Sequence, residues 1–250
     1  MRTHRNTIFI TGGGGGIGRG LAEAFHRLGN TVIIGGRNEA GLTEVCAAST
    51  GMSYILMDVT RADSIRAGAR EVLERFPALN CVVNNAGIQR AHDFSVEDGL
   101  DESAVTEEIE ANLLGVIRVC GAFLPHLRRQ PEATIINISS GLAFVPMARV
   151  PVYCATKAAV HSFTVSLRRQ LRDTSVSVIE VIPPYVATHL QQGRRNPRGP
   201  QPMPLPDFIA EAMNGLAGDA DEIAVGDAKR LYASAGTGEP FRNAFTRMNL

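Results

Sequence analysis

A tyrosine and a lysine four residues apart, Tyr153 and Lys157, are the side chains whose spacing suggests chemistry most directly. They lie in the segment VYCATKAAVHSF, which predicts a helix over 152–171, and residues four apart share one face of a helix. A tyrosine has a pKa of about 10, and a nearby ammonium favours the phenolate and lowers that pKa. The pair is therefore suited to proton transfer to and from a carbonyl/alcohol pair. Taken alone, the spacing also describes an ordinary surface pair.

Glycines are concentrated in one short segment, ITGGGGGIGRGLAEAF, at 10–25. An apolar run precedes the glycines and a helical pattern follows them, so they form a strand-to-helix turn. The free N–H groups and the dipole of a helix N-terminus favour an anion, and glycine lets a ligand approach the backbone. The segment therefore predicts a dinucleotide phosphate site, with a flexible turn without ligand as the alternative. Both T-G-x-x-x-G-x-G and T-G-x-x-G-x-x-G can be read from Thr11.

Short apolar runs alternate with helical patterns along the chain, and several runs are apolar on both faces, as in central strands of a parallel sheet. This alternation predicts an α/β fold, a Rossmann-type doubly wound parallel sheet of about seven strands with helices on both faces, in a single domain. The predicted strands are 7–11, 31–35, 53–57, 79–84, 133–139, 176–182 and 222–226, and the predicted helices are 17–28, 38–48, 62–76, 102–127, 152–171 and 207–216.

The segment 189–206, HLQQGRRNPRGPQPMPLP, is rich in proline and arginine and has no periodicity. The 250 residues otherwise show no repeat and no linker, so we expect one domain over 1–250. A long loop inside a compact domain is either a mobile surface loop or a lid over a site. We favour the lid.

Composition excludes several classes of function. The net charge is zero, with 25 basic and 25 acidic residues, which argues against a general nucleic-acid or acidic-membrane surface. The cysteines 46, 81, 120 and 154 form no C-x-x-C pair, so neither a metal site nor a redox motif is predicted, and a reducing compartment is expected. Neither a signal peptide nor a membrane span is predicted, and we expect a cytoplasmic protein.

Five motifs occur in an order that resembles the short-chain dehydrogenase/reductase family. They are T-G-x-x-x-G-x-G from Thr11, N-N-A-G at 84–87 after the fourth strand, Asn112 in a long helix, Ser140 at the end of the fifth strand, and Y-x-x-x-K from Tyr153. The resemblance runs from about residue 7 to 190. Within the family, SGLAFVPMARVPVYCATKAAVHSF and IPPYVATHL are similar to the DltE-type subgroup.

The resemblance implies an oxidoreductase that moves hydride between a nicotinamide and a carbonyl/alcohol substrate, with the hydride chemistry supplied by the cofactor. In that family the tyrosine is the general acid and base, the lysine aids it and contacts the nicotinamide ribose, the serine binds the substrate oxygen, and the asparagine holds a water in a proton relay. These roles fall on Tyr153, Lys157, Ser140 and Asn112, with Ser139 as second choice for the serine.

The end of the second strand, TVIIGGRNEAGL, bears on the choice of cofactor. Folds specific for NAD place an acidic residue there for the ribose 2′-OH, whereas an arginine accommodates a 2′-phosphate. Gly36 stands in the acidic position and Arg37 follows it, so we expect NADP(H) to be preferred. NAD(H) stays possible, because Glu39 is close and the glycine turn lacks an extra basic residue.

The resemblance implies further cofactor contacts. Asp58 matches a residue at the adenine amine, although its position also suits a cap or turn, and Val59 would line the same pocket. Pro183-Pro184 replaces the Pro-Gly of many members and makes the turn beside the nicotinamide rigid. The expected cofactor-binding residues are Thr11, Gly12, Gly16, Ile17, Gly18, Arg37, Asp58, Val59, Asn85, Ala86, Gly87, Tyr153, Lys157, Pro183, Val186 and Thr188.

For the substrate we expect a mainly apolar pocket with a basic entrance, which suits a carbonyl or alcohol on a medium apolar body, with a distal anion as an option. Solvated loop arginines are the alternative to that entrance. The expected residues are Phe144, Val145, Pro146 and Met147 at the reacting carbonyl, Gln89, Arg90 and His92 beside it, and Arg194, Arg195 and Arg198 at the entrance.

Other functions and assembly states stay open at this level. A dinucleotide-binding sensor would tolerate a broken tetrad, and an extended-branch sugar-nucleotide epimerase or dehydratase would share the second glycine spacing. The resemblance implies a homodimer through helices 102–127 and 152–171, whereas the tail after 226 departs from the family and puts a tetramer in doubt. The substrate, the direction of reaction and any cell-wall role do not follow from these residues.

Overall fold

The computed structural model describes residues 1–95, 100–191 and 201–249. Within these ranges seven strands form one parallel sheet in the order β3-β2-β1-β4-β5-β6-β7. The strands are β1 Thr7–Thr11, β2 Thr31–Gly36, β3 Ser53–Leu56, β4 Cys81–Asn84, β5 Ala133–Ile138, β6 Val176–Ile182 and β7 Glu222–Ala224. The predicted Rossmann-type doubly wound sheet is therefore confirmed.

Helices connect consecutive strands and cover both faces of the sheet. A π-helical turn, Glu110–Leu114, interrupts the long helix that the sequence predicts over 102–127. The helices are α1 Gly16–Arg27, α2 Glu39–Ala48, α3 Ala62–Arg75, α4 Glu102–Ile109, α5 Gly115–Leu127, α6 Pro151–Leu171, α7 Leu205–Ala217, α8 Ala228–Ala233 and α9 Glu239–Met248, with short 3₁₀ turns at Gly141–Ala143 and His189–Gln191.

Two apolar layers hold the helices on the sheet. In β1, Ile8 and Ile10 face the layer beneath α1 and α7, while Phe9 faces the opposite layer beneath α3 and α5. Side chains alternate along a strand, so a strand covered on both faces must be apolar throughout. That requirement explains the uninterrupted apolar runs of the sequence. No helix in the described part of the chain is both long enough and apolar enough to cross a membrane.

The chain reverses its direction of travel across the sheet between β1 and β4, which are neighbours. A crevice opens at such a reversal, beyond the carboxyl ends of the strands, and ligands of α/β proteins bind there. The glycine turn follows β1 and residues 84–87 follow β4, so both segments lie at this crevice.

Candidate active site

The glycine turn is packed tightly against the end of β4. Gly12 and Gly16 have φ angles of 69° and 52°, a region that glycine enters without steric cost. A Cβ on Gly18 would lie 2.3 Å from the Gly12 oxygen and 2.4 Å from Nδ2 of Asn85. The backbone crossing therefore leaves no room for a side chain at position 18.

The first turn of α1 is open to a ligand. No side chain caps it, and it contains no acidic residue. Gly15 is the N-cap residue and lines the main cavity, and nothing lies within 4 Å of the place where its Cβ would stand. Free N–H groups facing open space fit an anion such as the pyrophosphate of a dinucleotide.

Hydrogen bonds of Thr11 and Asn85 hold the glycine turn against the end of β4. The Asn85 Nδ2 donates to the oxygens of Thr11 (3.0 Å) and Gly12 (3.3 Å), and the backbone N–H groups of Asn85 and Ala86 donate to Oγ1 of Thr11 at 3.0 and 3.1 Å. The side chains of Thr11 and Asn85 thus join the ends of β1 and β4 and hold the turn in place.

Tyr153 and Lys157 are buried on the face of α6 that points to the cavity. Nζ of Lys157 donates to the backbone oxygen of Ile138 (2.8 Å) at the end of β5, and it lies 5.7 Å from the centre of the Tyr153 ring. The next residues after β5, Ser139 and Ser140, line the same cavity. α6 and the end of β5 therefore bring three of the four expected catalytic residues together.

Burial dominates the acid–base properties of this pair. Burial raises the pKa of Tyr153 above its ordinary value, and the nearby Ser140 hydroxyl opposes that change. Burial lowers the pKa of Lys157 to about 8, against the attraction of the Glu180 carboxylate. The sequence-based expectation of a lowered tyrosine pKa is not met in this structure, because the cost of burying a phenolate dominates the shift.

Asn112 lies in the π-helical turn, a kind of distortion that often occurs at functional sites. Its Oδ1 accepts from the Ile88 N–H (2.8 Å), and its Nδ2 donates to the Ile88 oxygen (2.8 Å) and to Oγ1 of Thr156 (3.2 Å). Both amide donors are therefore occupied. A Cβ on Gly87 would be 3.0 Å from Oδ1 of Asn112 and 3.8 Å from Nζ of Lys157, so Gly87 lies close to both side chains.

The two candidate serines differ in their surroundings. Oγ of Ser140 accepts from the Leu142 N–H at 3.1 Å. The Ser140 hydroxyl also forms a hydrogen bond with Tyr153, which acts to lower the tyrosine pKa. Oγ of Ser139 is buried and has no hydrogen-bond partner among the residues that the structure describes. The contact with the tyrosine favours Ser140 as the serine that shares a substrate oxygen.

The expected adenosine-side residues lie outside the main cavity. Arg37 follows β2, and Nη1 of its 53% exposed side chain lies 3.4 Å from Oε1 of Glu107. Oδ1 of Asp58 accepts from the N–H (2.9 Å) and the hydroxyl (2.7 Å) of Thr60, the turn role that its position also suits. Of the expected cofactor residues, the cavity brings together Gly12, Gly16, Ile17, Asn85, Ala86, Gly87, Tyr153, Lys157, Pro183, Val186 and Thr188, while Thr11, Gly18, Arg37, Asp58 and Val59 do not line it.

The apolar residues expected at the reacting carbonyl are mostly placed elsewhere. The cavity, of about 1360 Å³, is lined by Met147 but not by Phe144, Val145 or Pro146. The Phe144 ring packs edge-on against His161 (4.7 Å between centres) and Tyr232 (5.0 Å). That part of the prediction is wrong, because aromatic partners distant in sequence draw Phe144 inward.

Of the polar residues expected beside the substrate, Gln89 lines the cavity, whereas Arg90 and His92 do not. Arg90 forms an ion pair with Glu107, and Nε2 of the buried His92 lies 2.8 Å from Oε2 of Glu108. The contacts with two carboxylates of α4 thus hold the side chains of Arg90 and His92 outside the cavity lining.

The expected basic entrance, Arg194, Arg195 and Arg198, lies outside the described residues. Both described ends of the segment 189–206 border the cavity, through Leu190, Gln201 and Met203. Met203 donates to the Tyr185 oxygen (2.8 Å) and accepts from the Ala187 N–H (2.9 Å). The lid stays a prediction.

The C-terminal tail supplies residues that sequence reasoning missed. α8 and α9 follow β7, and Ala244, Arg247 and Met248 of α9 line the cavity. Nδ2 of Asn249 donates to the Pro146 oxygen (3.1 Å), and its Oδ1 accepts from the Ala148 N–H. The i, i+3, i+4 spacing of 244, 247 and 248 marks one helix face, but nothing local indicates what that face meets.

His161, Glu180 and Glu222 form a cluster whose ligand atoms lie within 4.8 Å of one another. Nδ1 of His161 lies 2.8 Å from Oε2 of Glu180, and the Glu222 oxygens accept from Nη1 of Arg168 (3.0 Å) and from the Tyr232 hydroxyl (2.5 Å). The pKa of His161 is raised, chiefly by its hydrogen bond to Glu180. Arg168 and His161 are therefore the hydrogen-bonding partners of the two carboxylates.

Comparison with known proteins places these features in context. The family model described as short chain dehydrogenase matches residues 6–199. The uncharacterized oxidoreductase DltE of Bacillus subtilis is 48% identical over 200 residues, which cover 80% of this chain and 79% of that protein. A probable galactose dehydrogenase, GalD, of Rhizobium meliloti is 31% identical over 190 residues, 74% of this chain and 73% of that protein.

A solved structure agrees over nearly the whole chain. The crystal structure of a short chain dehydrogenase from Burkholderia cenocepacia in complex with NADP has a TM-score of 0.81 and 26% sequence identity, and the alignment covers 94% of each chain. The sheet order and the crevice described above are therefore shared with a dinucleotide-binding protein.

Proposed function

The chain belongs to the short-chain dehydrogenase family of oxidoreductases, and we propose that it transfers hydride between NADP(H) and a carbonyl/alcohol substrate, with Tyr153 as general acid and base. Lys157, Ser140 and Asn112 aid Tyr153. The observation that carries the proposal is one continuous cavity that joins the open first turn of α1 to Tyr153, Ser140 and Lys157. A nicotinamide dinucleotide, when bound, supplies or takes up the hydride.

The dinucleotide fits the groups that this chain offers. The uncapped N–H groups of α1 and the open space in front of Gly15 suit the pyrophosphate. Pro183, Val186 and Thr188 line the cavity, and the nicotinamide is expected beside them. Lys157 would contact the hydroxyls of its ribose.

The side chains of this chain would handle the proton. In the direction of reduction, Oη of Tyr153 gives its proton to the carbonyl oxygen while Ser140 donates a hydrogen bond to the same oxygen. The Lys157 ammonium then stabilises the tyrosinate that remains. Asn112 holds the loop after β4 in place, and a water between its segment and Lys157 would relay the proton back to Tyr153.

The preference for NADP(H) rests on Arg37. No carboxylate ends β2, and the Arg37 guanidinium is exposed and shares Glu107 with Arg90, so it can turn toward a 2′-phosphate. An exposed charge-assisted contact contributes about 1 kcal/mol. We expect Arg37→Ala to raise the KM for NADPH about fivefold and to leave that for NADH unchanged. Arg66→Ala, at an exposed position of α3, is the control; an equal change for both cofactors would contradict the assignment.

The lid and the assembly are also proposed. The single domain over 1–250 would close on its substrate through the segment 189–206, both described ends of which border the cavity. Ile109 of α4, Ile117 of α5 and Val165 of α6 are exposed large apolar side chains, which supports a homodimer through these helices.

The deciding experiment is NADPH oxidation over a panel of ketones, aldehydes and quinones, with oxidation of sugars in the reverse direction. Tyr153→Phe should lower kcat by about 10²–10⁴-fold and leave NADPH binding intact. Unchanged turnover in that variant would exclude Tyr153 as the acid. Absence of turnover on every compound, in protein that binds NADPH, would favour a dinucleotide sensor.

A further inference from the structure

Three arginines from separate parts of the chain meet at the cavity: Arg149 in the loop before α6, Arg230 in α8 and Arg247 in α9. All three are exposed, and none forms an ion pair with any residue of the described ranges. Arginines elsewhere near the site do have carboxylate partners: Arg37 and Arg90 share Glu107, and Arg118 pairs with Glu110. The three cavity arginines differ from these neighbours in having no carboxylate partner within the described ranges.

For each arginine, a contact of the residue itself or of a close neighbour fixes the local backbone. The Arg149 oxygen accepts from the His92 N–H at 3.3 Å. Next to Arg230, Leu231 packs so closely on the turn after β5 that a Cβ on Gly141 would be 2.8 Å from its Cδ1. Arg247 shares the inner face of α9 with Ala244, and Asn249 fastens the end of that helix to the loop at 146–148. The guanidinium stems thus start from fixed points around one opening.

The charge balance of the cavity is strongly positive. Among the residues that the structure describes, its charged lining consists of Arg149, Lys157, Arg230 and Arg247 against a single carboxylate, Asp227. Lys157 is buried, so the three exposed arginines dominate the electrostatic potential in the solvent-exposed part of the cavity. A cleft lined by one sign of charge concentrates ligands of the opposite sign, and guanidinium groups bind carboxylate and phosphate through paired hydrogen bonds.

We propose that Arg149, Arg230 and Arg247 form an anion-binding subsite, and that the substrate is a carbonyl or alcohol compound that carries a carboxylate or phosphate away from its reacting carbon. The inference rests on the proposed function, because it places the reacting carbon at Tyr153. The cofactor's pyrophosphate is assigned to the first turn of α1, to which none of the three arginines belongs, so they are free for a second anion.

The kinetic test uses three compounds with one sugar ring that differ at C6: D-galactose, D-galacturonate and D-galactose 6-phosphate. We expect kcat/KM for one of the charged compounds to exceed that for galactose by about tenfold or more. The ratio should fall to about one in the triple variant Arg149→Gln, Arg230→Gln, Arg247→Gln. A general loss of folding or activity cancels in this ratio. Arg66→Gln, an exposed arginine of α3 remote from the cavity, should keep it.

The charged compound with the higher ratio of kcat/KM to that of galactose identifies the anion that the subsite prefers: a carboxylate for galacturonate, or a phosphate for galactose 6-phosphate. The NADPH dissociation constant should be the same in the triple variant as in the parent protein; a large increase would show that the arginines bind the cofactor instead and would overturn the proposal. A ratio near one in the parent protein, or a ratio that survives in the triple variant, would overturn it as well.

A second measurement does not need turnover. Phenylglyoxal modifies exposed arginines, and peptide mass spectrometry reports each site. In the NADPH-bound protein, galacturonate, galactose 6-phosphate or 4-oxopentanoate should slow modification of the three arginines several-fold and leave Arg66 unaffected, while galactose should protect none. Protection without turnover would keep the subsite and count against the proposed reaction on these compounds. Absence of protection by all three anions would exclude the subsite.

Discussion

The cofactor end of the cavity is the part formed by the glycine turn and the segment after β4, and it joins the ends of two neighbouring strands. The substrate end is the part formed by the loop before α6, α8 and α9, and it is assembled from segments far apart in the chain. At the cofactor end, Thr11, Gly12 and Asn85 form hydrogen bonds of 3.0–3.3 Å between β1 and β4, and backbone fills the space beside Gly18. At the substrate end, Asn249 joins the loop at 146–148 across a separation of about a hundred residues.

The two ends also bind in different ways. The cofactor end offers backbone N–H groups of α1, whose positions are set by the fold. The substrate end offers exposed arginine side chains on a loop and two short helices. Backbone donors suit a ligand that does not vary, whereas side chains can change without disturbing the sheet. A change at the cofactor end should therefore cost stability or cofactor affinity, and one at the substrate end mainly selectivity.

The largest effect is expected at Gly18. In Gly18→Ala the new methyl group would lie 2.3 Å from the Gly12 oxygen, and overpacking of this kind costs about 1–3 kcal/mol. For a domain of this size we expect thermal unfolding to show a Tm lower by about 5–10 °C. Gly121→Ala, where nothing lies within 4 Å of the added Cβ, is the control. Equal Tm values for the two variants would contradict the close packing of backbone around position 18.

Lys157, where the two ends meet, should make stability depend on pH. Its pKa is lowered to about 8 in the folded protein, against about 10.4 in the unfolded chain. Between these values the unfolded chain binds more protons, so stability rises with pH, and below about pH 8 the full cost of the buried ammonium applies. Lys157→Met should remove this dependence and, after loss of one hydrogen bond, stabilise the protein at pH 7 by on the order of 2 kcal/mol.

Denaturant unfolding of the parent and of Lys157→Met between pH 7 and 9.5 measures this effect as the difference between the two proteins. The four cysteines, whose pKa values burial raises, oppose it in this range but are common to both proteins and cancel. Lys229→Met is the matched control, because the side chain of this second lysine is 63% exposed. A difference between parent and Lys157→Met that does not change across the range would show that the ammonium is solvated rather than buried.

A smaller effect is expected where the phosphate site is open. Gly15→Ala adds a methyl group that touches no protein atom within 4 Å but points into the cavity. The apoprotein should keep its Tm, while the NADPH dissociation constant rises about tenfold, or about 1.4 kcal/mol. Gly14→Ala, at ordinary contact distances and outside the cavity lining, should bind NADPH as the parent does. Equal binding by both variants would place the pyrophosphate elsewhere.

The smallest effect belongs to the substrate end. Asn249→Ala removes the hydrogen bonds that fasten α9 to the loop at 146–148, and an exposed polar contact of this kind contributes about 1 kcal/mol or less. We expect a Tm change of about 2–4 °C or less and a KM increase of a few-fold for the substrate, with NADPH binding unchanged. Asn243→Ala, on the exposed face of α9, is the control. A change in NADPH affinity would contradict the separation of the two ends.

Much of the cofactor end could be predicted from the sequence. The strand predictions 7–11 and 176–182 match β1 and β6, because a strand buried on both faces is apolar without interruption. The strand-to-helix turn was recognisable because its glycines are contiguous and flanked by clear periodic patterns. The order of the motifs was sufficient to identify the family, which the family model confirms.

Less of the substrate end could be predicted. Phe144 looked like a pocket residue and is packed between His161 and Tyr232. Arg90 and His92 looked available and are held by Glu107 and Glu108 of α4. Each outcome depends on a partner that no local pattern connects to the residue.

The sequence by itself determined the sheet, the glycine turn that we propose for the phosphates and the positions of the four proposed catalytic residues, because these depend on periodicity and on neighbours within a few residues. Only the tertiary structure decided which side chains line the cavity and in which direction their pKa values shift. The Tyr153 pKa illustrates the reason: the sequence indicates a neighbouring ammonium, whereas burial, which involves residues from across the chain, reverses the direction of the shift. The face of α9 is likewise a helical pattern in the sequence and becomes a wall of the cavity only when the fold brings the tail to residues 146–148.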